Sequence, residues 1–316
     1  MSQRVIYFNG QIIPEREAKV SIFDSALQVG DMAFEVTRTV RHAPFRLRDH
    51  LVRLRRSLTA LQIDPQLSND ELEAITLDVL AKNLPTEADD VDWNIIHDVS
   101  RGPASAYRSV FSPDELRPTV VVACFPMAEK MASLAPAYTT GVDLVVPAQR
   151  SLPHDLLDAG IKCRSRVHYQ LANLQADAIC RGATAVLLDP AGFVTEGTSG
   201  NVFFVRNGEL LTPTVRNILP GITRSVVLDA ARKLGIAARE CDITQAEAAT
   251  ADEAFVTSTS IGILHARTFD GRPIGDGRIG PIAQQLRDAL TVEIGLDFAA
   301  QAASYAARGR SASRSS

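Results

Sequence analysis

The segment VTEGTSGNVFFVRNGELLTP (residues 194–213), followed by LPGITR (residues 219–224), gives the strongest indication of local structure in this chain. The apolar runs VFFV and ELL are separated by Asn207-Gly208, a pair typical of two-residue β-hairpin turns. LPGITR predicts a helix directly after a Pro-Gly turn, and the first N–H groups of a helix can bind a phosphate, although most bind only water or a side-chain cap. The segment therefore predicts an antiparallel meander that leads into a helix.

Patterns on either side of this segment alternate between strand and helix. Towards the N-terminus, AFEVTRTV, WNIIHDV and TVVVACF are typical of strands, and leucines three or four residues apart predict a helix from Arg48. Ser68 and Glu71 form a capping box ahead of a second helix, and Thr244 and Glu247 form another. Helices are also predicted from about Val167, after Gly221 and near Pro281.

The length of 316 residues indicates about two domains. Residues 126–141 lack a clear period and contain two prolines, which predicts a linker. We therefore expect an N-terminal α/β domain over residues 1–130 and a larger C-terminal domain over residues 131–303. The Ser- and Arg-rich end, residues 304–316, is predicted to be a disordered tail.

Composition excludes several classes of protein. The chain has 33 basic and 37 acidic residues, 46% hydrophobic and 22% charged residues, so we expect a globular protein that binds no nucleic acid. No apolar run is long enough for a membrane helix, and the N-terminus does not resemble a signal peptide. The four cysteines are widely spaced and the six histidines have no paired spacing, so we expect reduced thiols, no metal site and a cytoplasmic location.

Chemically suggestive residues cluster between Ile161 and Thr223. Lys162 is the only lysine between Lys130 and Lys233, and a desolvated lysine can act as an amine nucleophile, although a single lysine is more often simply exposed. Glu196 ends a predicted strand and could hold a pyridine nitrogen protonated, or be a solvated turn residue. Arg53, on the first long helix, could pair with a phosphate or be solvated.

Taken together and in this order, these segments resemble the class IV (fold type IV) pyridoxal-phosphate aminotransferases, the family that includes branched-chain and D-amino-acid aminotransferases. The resemblance runs from YFNG to DGRIGP and is most specific in VTEGTSGNVFFVRNGELLTP and LPGITR; SALQVGDMAFEVTR and FRLRDHLVRL also match. It implies an α/β (α+β) fold of two domains, with a β-barrel-like sheet and helices in the C-terminal one. It also implies a homodimer that moves an amino group from an amino acid to a 2-keto acid by a ping-pong mechanism.

The resemblance also implies which residues bind pyridoxal 5′-phosphate. Lys162 would be the catalytic amine joined to the cofactor, Glu196 the partner of its ring nitrogen, and Leu219 a packing contact of its ring. The phosphate would be bound by Arg53, Ile222, Thr223 and Thr259, with Ser260. Tyr169 is the nearest match to the residue that binds the ring hydroxyl, but it lies two residues later than in branched-chain enzymes, so His168 or Arg166 could hold that position instead.

The substrate-binding residues depart from the known family patterns. The loop RGPASAYRS has Ala106 and Arg108 where D-amino-acid enzymes have an Arg-x-His pair, VDWNII lacks the Tyr-x-Arg of branched-chain enzymes, and KCRSRVHY replaces their Lys-Ala-Gly-Gly-Asn-Tyr. Arginine suits carboxylate binding because its planar fork donates two parallel hydrogen bonds. The candidate arginines for the substrate carboxylate are Arg38, Arg101, Arg108, Arg164 and Arg166, and we favour Arg108 and Arg38, with Phe34 as a further substrate contact.

Three alternatives to an amino-acid aminotransferase stay open. A lyase resembling aminodeoxychorismate lyase would use the same cofactor and release pyruvate without an amino acceptor. An R-selective amine aminotransferase would accept amines that lack a carboxylate. A non-catalytic binding protein could have kept the fold and lost the chemistry, but the presence of Lys162, Glu196 and Arg53 together disfavours it.

Overall fold

The computed structural model describes residues 4–314. The chain forms two compact units: residues up to Met127 together with Ile161–Ser165, and Ala128–Gly160 together with the residues from Arg166 onward. The division after Met127 lies three residues before the end of the predicted N-terminal domain. The five residues 161–165, which the prediction had assigned to the C-terminal domain, belong to the first unit.

The first unit is built on a six-stranded sheet in which all neighbouring strands are antiparallel, in the order β2-β1-β6-β5-β3-β4. Its strands are β1 (Val5–Phe8), β2 (Gln11–Pro14), β3 (Met32–Val40), β4 (Ala43–Pro44), β5 (Trp93–Ser100) and β6 (Thr119–Pro126). Its helices are α1 (Ser25–Val29), α2 (Leu47–Ala60) and α3 (Asn69–Asn83), with short 3₁₀ helices at Glu15–Glu17, Leu84–Thr86 and Ser105–Val110.

The predicted leucine stripe holds α2 on this sheet. Leu51, Leu54 and Leu58 are buried and belong to one apolar core with Trp93 and Ile95 of β5. Burying each leucine contributes roughly 1.5–3 kcal/mol. The capping box that begins α3 is confirmed, since the predicted serine and glutamate exchange backbone hydrogen bonds. Packing of the leucines fixes the rotation of α2, and so the direction in which its polar residues point.

The second unit is built on a mixed nine-stranded sheet, in the order β12-β11-β10-β13-β14-β7-β8-β9, with β15 paired to β14. Its strands are β7 (Val142–Val145), β8 (Thr184–Leu188), β9 (Val194–Gly197), β10 (Asn201–Arg206), β11 (Glu209–Thr212), β12 (Ala238–Glu240), β13 (Glu253–Ser258), β14 (Gly262–Phe269) and β15 (Arg272–Pro273). Its helices are α4 (Ala128–Thr140), α5 (Val167–Ile179), α6 (Ile222–Lys233), α7 (Gln245–Ala249), α8 (Pro281–Ile294) and α9 (Phe298–Arg314).

The hairpin predicted at Asn207-Gly208 is confirmed by the pairing of β10 with β11. Both turn residues have positive φ, 51° and 79°, as a type I′ turn requires. The hairpin fixes the register of β10, whose first residue, Asn201, lies opposite Thr257 at the end of β13. This sheet end, where β9 and β13 also finish, carries most of the candidate cofactor residues of the second unit.

The predicted linker over residues 126–141 is wrong, because most of it forms α4. Met131 and Tyr138 are buried, the Tyr138 hydroxyl donates to the carbonyl of Ile261 at 2.8 Å, and α4 packs along α9. This tertiary packing stabilises the helix although Pro136 lies inside it and no simple apolar period marks it.

The predicted disordered tail over residues 304–316 also differs from the structure, in which residues 304–314 continue α9. Alanines, the best helix formers, are frequent there, and Tyr305 is buried. Residues 315 and 316 lie outside the described part. Across the helices of residues 4–314, none combines the length and apolar character needed to cross a membrane.

Candidate active site

Lys162 lies in the short segment Ile161–Ser165, which runs beside β3. Phe34 donates its backbone N–H to the Lys162 carbonyl at 2.9 Å, and the Lys162 N–H donates to Ser57 Oγ of α2 at 3.0 Å. The side chain is half-buried, with its Nζ 4.5 Å from the centre of the Phe34 ring. The backbone of the candidate nucleophile is thus fixed at two points, and its amine lies over an aromatic face.

Arg53 projects from α2 into a buried ion pair. Its Nε donates to Glu35 Oε2 at 2.8 Å and its Nη2 to Glu35 Oε1 at 2.7 Å. Glu35, on β3, is 0% exposed. This fork–fork pairing uses both carboxylate oxygens and fixes the orientation of the guanidinium.

Two buried histidines complete the surroundings of this ion pair. Nδ1 of His50 lies 3.2 Å from Glu35 Oε1, and Nε2 of His97 lies 2.8 Å from Thr76 Oγ1. Burial opposes ionisation of Glu35, but Arg53 and His50 outweigh it and hold the pKa of the carboxyl well below its usual value. Burial lowers the pKa of His50, and that of His97 to about 4, so both rings are neutral at pH 7.

Glu196, at the end of β9, accepts hydrogen bonds from three neutral donors. Its Oε1 accepts from the Tyr169 hydroxyl at 2.9 Å, and its Oε2 accepts from Asn201 Nδ2 at 3.1 Å and from the Leu219 N–H at 3.0 Å. Asn201 also donates to the Leu219 carbonyl at 2.9 Å. Hydrogen bonds to a carboxylate favour its charged form, as a partner of a protonated pyridine nitrogen requires.

Helix α6 begins at Ile222, three residues after Leu219, which donates to Glu196. Its N-cap is Gly221, which provides no side-chain cap, and Ile222 and Thr223 are buried in the first turn. A Cβ on Gly221 would clash with Asn201 Oδ1. Glycine at this position therefore lets Asn201 approach the start of the helix. Because glycine has no side chain to cap the first N–H groups, its position also suits an anion site.

Thr259 and Ser260, the other predicted phosphate ligands, lie in the turn between β13 and β14. Thr257, two residues before Thr259, pairs with Asn201 in the sheet. The turn is thus at the same end of the sheet as Asn201, the neighbour of Glu196. The structure therefore brings the strand, turn and helix ends of the second unit's candidate residues together.

The three candidates for the ring-hydroxyl partner lie at the start of α5. The Tyr169 hydroxyl is bonded to Glu196, as described above. Arg166 stacks on the Tyr169 ring at 4.2 Å and donates Nη2 to the Thr198 carbonyl at 2.6 Å, and the His168 ring lies 4.3 Å from that of Tyr169. The two-residue shift in sequence thus places Tyr169 at the carboxylate that would bind the ring nitrogen.

The remaining arginine candidates differ in their surroundings. Arg38 is 1% exposed, donates to the Thr39 carbonyl and pairs with Asp92, so the structure favours a structural role for it. Arg101 donates to Asp31 and to two main-chain carbonyls. Arg108 is exposed in the 3₁₀ helix Ser105–Val110, and Arg164 stacks on Phe34 at 3.9 Å.

Sequence reasoning missed three residues that the structure places in this chemistry. Glu35 was hidden in an apolar strand, and a charge inside such a run was the available signal. Asn201 is a single polar residue before the apolar run VFFV, and that run is the stronger sequence pattern. Asp98, which pairs with Arg164 at 2.8 Å, had no local signal, because the two residues are 66 positions apart.

The donor set fits pyridoxal phosphate. The first unit supplies an amine, Lys162. The second unit, taken by itself, supplies a carboxylate, Glu196, that could accept from a pyridinium N–H, and the α6 N-terminus with the Thr259–Ser260 turn, which would suit a phosphate. Among residues 4–314, no group of three or more histidine, cysteine or acidic side chains could hold a metal ion.

Comparison with known proteins agrees with this geometry. The profile of the family described as "Amino-transferase class IV" matches residues 32–269. The "Branched-chain-amino-acid aminotransferase" of Salmonella typhimurium is 31% identical over 293 residues, which cover 90% of this chain and 91% of that protein.

Solved structures of branched-chain aminotransferases are similar as well. The Thermoproteus uzoniensis enzyme with norvaline is 28% identical, with a TM-score of 0.78 and coverage of 93% of this chain and 96% of that one. The Thermobaculum terrenum enzyme in its PLP form is also 28% identical, with a TM-score of 0.79 and coverage of 94% and 95%.

The chain belongs to the class IV aminotransferases, which confirms the resemblance and the fold class predicted from the sequence. Within that class it is a pyridoxal-phosphate-dependent transaminase. Transamination of amino and keto acids fits these relatives better than the lyase, the amine aminotransferase or the non-catalytic binding protein.

Proposed function

We propose that this aminotransferase takes the amino group of a branched-chain L-amino acid and gives it to a 2-keto acid. The observation that carries this donor class is the 31% identity, over nine-tenths of the chain, to a protein named as a branched-chain aminotransferase. Phe34, whose ring lies beside Lys162, is assigned as a further substrate contact. A D-amino-acid donor is less well supported, since Ala106 and Arg108 replace the Arg-x-His pair.

We assign the cofactor contacts as the family pattern implies. Lys162 is the amine that the cofactor joins, and Glu196 binds its ring nitrogen. Leu219 packs on the ring, while Tyr169 holds Glu196 and is the nearest match for the partner of the ring hydroxyl. The phosphate is assigned to Arg53, Ile222, Thr223, Thr259 and Ser260.

The chemistry divides between the cofactor and the chain's own side chains. When bound, pyridoxal phosphate supplies an electron sink for the substrate's α-carbon. Lys162 would be the amine that holds the cofactor and, once freed, the general base that takes the α-proton onto its Nζ. Its backbone bonds to Phe34 and Ser57 hold the main chain from which the amine extends.

Glu196 must stay ionised throughout the reaction. The phenol, the amide and the backbone N–H that donate to it stabilise the charged carboxylate and are themselves neutral. A carboxylate held in this way would keep the pyridine nitrogen of the bound cofactor protonated. Ping-pong kinetics follow, because the first product leaves before the keto acid binds.

A spectroscopic screen tests the donor class. The holoenzyme is mixed with each L- and D-amino acid, and conversion of the bound cofactor to its amine form is followed by absorbance. We expect the fastest conversion with L-leucine, L-isoleucine and L-valine, and return of the spectrum on addition of 2-oxoglutarate. Preferential conversion by D-amino acids, or release of pyruvate without an acceptor, would contradict the proposal.

The lysine assignment has its own test. Borohydride reduction of the holoenzyme and peptide mapping should place the label on Lys162, and Lys162→Ala should lose it. Lys130→Ala, a change at a lysine on α4, is the control and should leave labelling unchanged. A label on any other residue would refute the assignment.

We also propose a homodimer in the cytoplasm. Val167, Leu171 and Leu174 form an exposed apolar stripe on α5, and Ile22 and Val29 of the first unit are also exposed. Such surface is typical of an interface. Wild-type protein should have twice the chain mass by light scattering, and Leu174→Glu should give monomers; a monomeric wild type would refute the dimer.

The four cysteines are unpaired, which supports the proposed location in a reducing compartment such as the cytoplasm.

A further inference from the structure

Arg164 and Lys162 share one aromatic ring. The guanidinium carbon of Arg164 is 3.9 Å from the centre of Phe34, and Lys162 Nζ is 4.5 Å from the same point. Because both distances are measured from the same point, Arg164 Cζ and Lys162 Nζ cannot be farther apart than the sum of the two. A fixed positive charge therefore lies close to the amine at which the reaction takes place.

Only part of the Arg164 guanidinium is occupied. Its Nε donates to Asp98 Oδ1 at 2.9 Å, and its Nη2 lies 2.8 Å from the same oxygen in an ion pair. Within residues 4–314 no acceptor lies on Nη1, so the end of the fork remains for a ligand. The side chain is 38% exposed, which leaves it accessible from solvent.

The position of this group matches what an α-amino acid requires. Its amino nitrogen and its carboxylate are attached to the same carbon, and that nitrogen takes the place of the Lys162 amine. The residue that binds the carboxylate must therefore lie near Lys162. Stacking on Phe34 and pairing with Asp98 hold the guanidinium in one orientation, so little side-chain entropy is lost when it binds.

The other candidate arginines meet these conditions less well. Arg38 is buried, and Arg101 uses its N–H groups on Asp31 and on main-chain carbonyls. Arg108 is exposed in a 3₁₀ helix that has no described contact with Lys162. Arg166 donates to Thr198 and stacks on Tyr169.

We infer that Arg164 binds the α-carboxylate of the amino-acid and keto-acid substrates through the end of its guanidinium, in place of the Tyr-x-Arg pattern that this chain lacks. This inference rests on the proposed function and names a residue that determines its specificity. It makes the enzyme selective for substrates that carry a carboxylate beside the reacting carbon.

The test compares ligands with and without a carboxylate on one holoenzyme. Binding of 4-methylvalerate, which is the leucine skeleton without its amino group, and of its neutral amide is measured by calorimetry for wild type, Arg164→Gln, Arg164→Lys and Arg48→Gln. Arg48 is the matched control, because it is another exposed arginine of the first unit that pairs with acidic side chains. Steady-state KM and kcat are measured with L-leucine and a 2-keto acid.

We expect Arg164→Gln to weaken 4-methylvalerate binding at least about tenfold, because a charge-assisted bond is lost. KM for L-leucine should rise by a similar factor with kcat changed less, and binding of the amide should not change. Arg164→Lys should restore part of the affinity, and Arg48→Gln should resemble wild type. Unchanged cofactor absorbance and melting temperature exclude a folding defect.

Two results would overturn the inference: an unchanged affinity of Arg164→Gln for 4-methylvalerate, or equal losses for the acid and the amide. Wild-type protein that transaminates L-leucine but shows either result keeps the proposed function and refutes the role of Arg164. Wild-type protein that transaminates no amino acid refutes the proposed function itself.

Discussion

Two buried carboxylates, Glu35 in the first unit and Glu196 in the second, are stabilised by different means. Glu35 is 0% exposed and its partners are the cation Arg53 and the ring of His50. Glu196 is 6% exposed and its described hydrogen-bond donors are a phenol, an amide and a backbone N–H. The first carboxylate thus pairs with a cation of its own unit, whereas the hydrogen-bond donors described for the second are neutral.

The difference matches the roles proposed for the two carboxylates, structural for Glu35 and cofactor-binding for Glu196. Removing the partner of a charge that is paired and enclosed leaves a buried ion, which is costly. A charge held by dipoles remains attractive to a pyridinium group. The same residue type at similar burial can thus serve opposite purposes, and the identity of the donors indicates which.

The largest expected effect is on stability, at Glu35. Glu35→Gln removes the negative charge and leaves Arg53 buried beside a neutral amide, which should lower the free energy of unfolding by about 3–5 kcal/mol. Urea titration of the cofactor-free protein measures it. Glu196→Gln is the counterpart and should lose less, because the donors described for Glu196 include no buried arginine that the change would leave unpaired. An equal loss in both variants would break the contrast.

Acid sensitivity should also reside in the first unit. His97 has its pKa lowered from 6.5 to about 4, so the folded state binds its proton more weakly than the unfolded chain does. Stability from this residue is complete above pH 6.5 and is lost as pH falls towards 4, by about 3 kcal/mol at most.

Replacing His97 should therefore flatten this part of the pH profile. His97→Gln should show a smaller decrease in unfolding free energy than wild type between pH 6.5 and 4, measured by urea titration at several pH values. His154→Gln, a change at an exposed histidine of the second unit, is the control. An unchanged slope in His97→Gln would contradict the assignment.

A smaller effect is expected at the start of α6. Gly221 has φ −68°, which alanine adopts readily, so Gly221→Ala tests only the close approach to Asn201. The added Cβ should displace the Asn201 amide from Glu196 and lower the free energy of unfolding by about 1–3 kcal/mol. Cofactor affinity, measured by fluorescence, should also fall. Gly309→Ala, which adds a Cβ in open space, is the control and should change neither quantity. If Gly221→Ala also leaves cofactor affinity unchanged, Asn201 has no role in binding the cofactor.

The smallest effect concerns the hydroxyl of Tyr169. Tyr169→Phe removes one of three neutral donors, and kcat/KM should fall about two- to tenfold, in keeping with a net hydrogen-bond contribution of about 0.5–1.5 kcal/mol. Tyr107→Phe is the matched control in the first unit. A loss of a thousandfold would mean that Tyr169 does more than orient Glu196.

Much of the second unit's site could be predicted because its residues are close together in the sequence. Glu196, the Asn207-Gly208 hairpin and the start of α6 follow one another closely in the chain, and local turn and capping chemistry determines their positions. The family pattern also falls in this stretch. Sequence reasoning therefore found the carboxylate and the helix start, although it missed Asn201.

The first unit's site was harder to predict because distant segments meet there. Glu35, Arg53 and His97 come from β3, α2 and β5, and Arg164 meets Asp98 across 66 positions. Such pairs leave no trace in local periodicity. The same limit explains α4, whose helical state depends on packing against α9 at the other end of the chain.

The return of residues 161–165 to the first unit has a consequence for synthesis. Ala33 bridges to Cys163, and Phe34 is bonded to the carbonyl of Lys162, so β3 gains its last main-chain partner only after the ribosome has passed the whole of the first sheet and α4. A fragment ending at residue 130 would expose that edge of β3 and lack Lys162 altogether. During translation, the edge of β3 in the N-terminal sheet is therefore paired only after residues 161–165 have been synthesised.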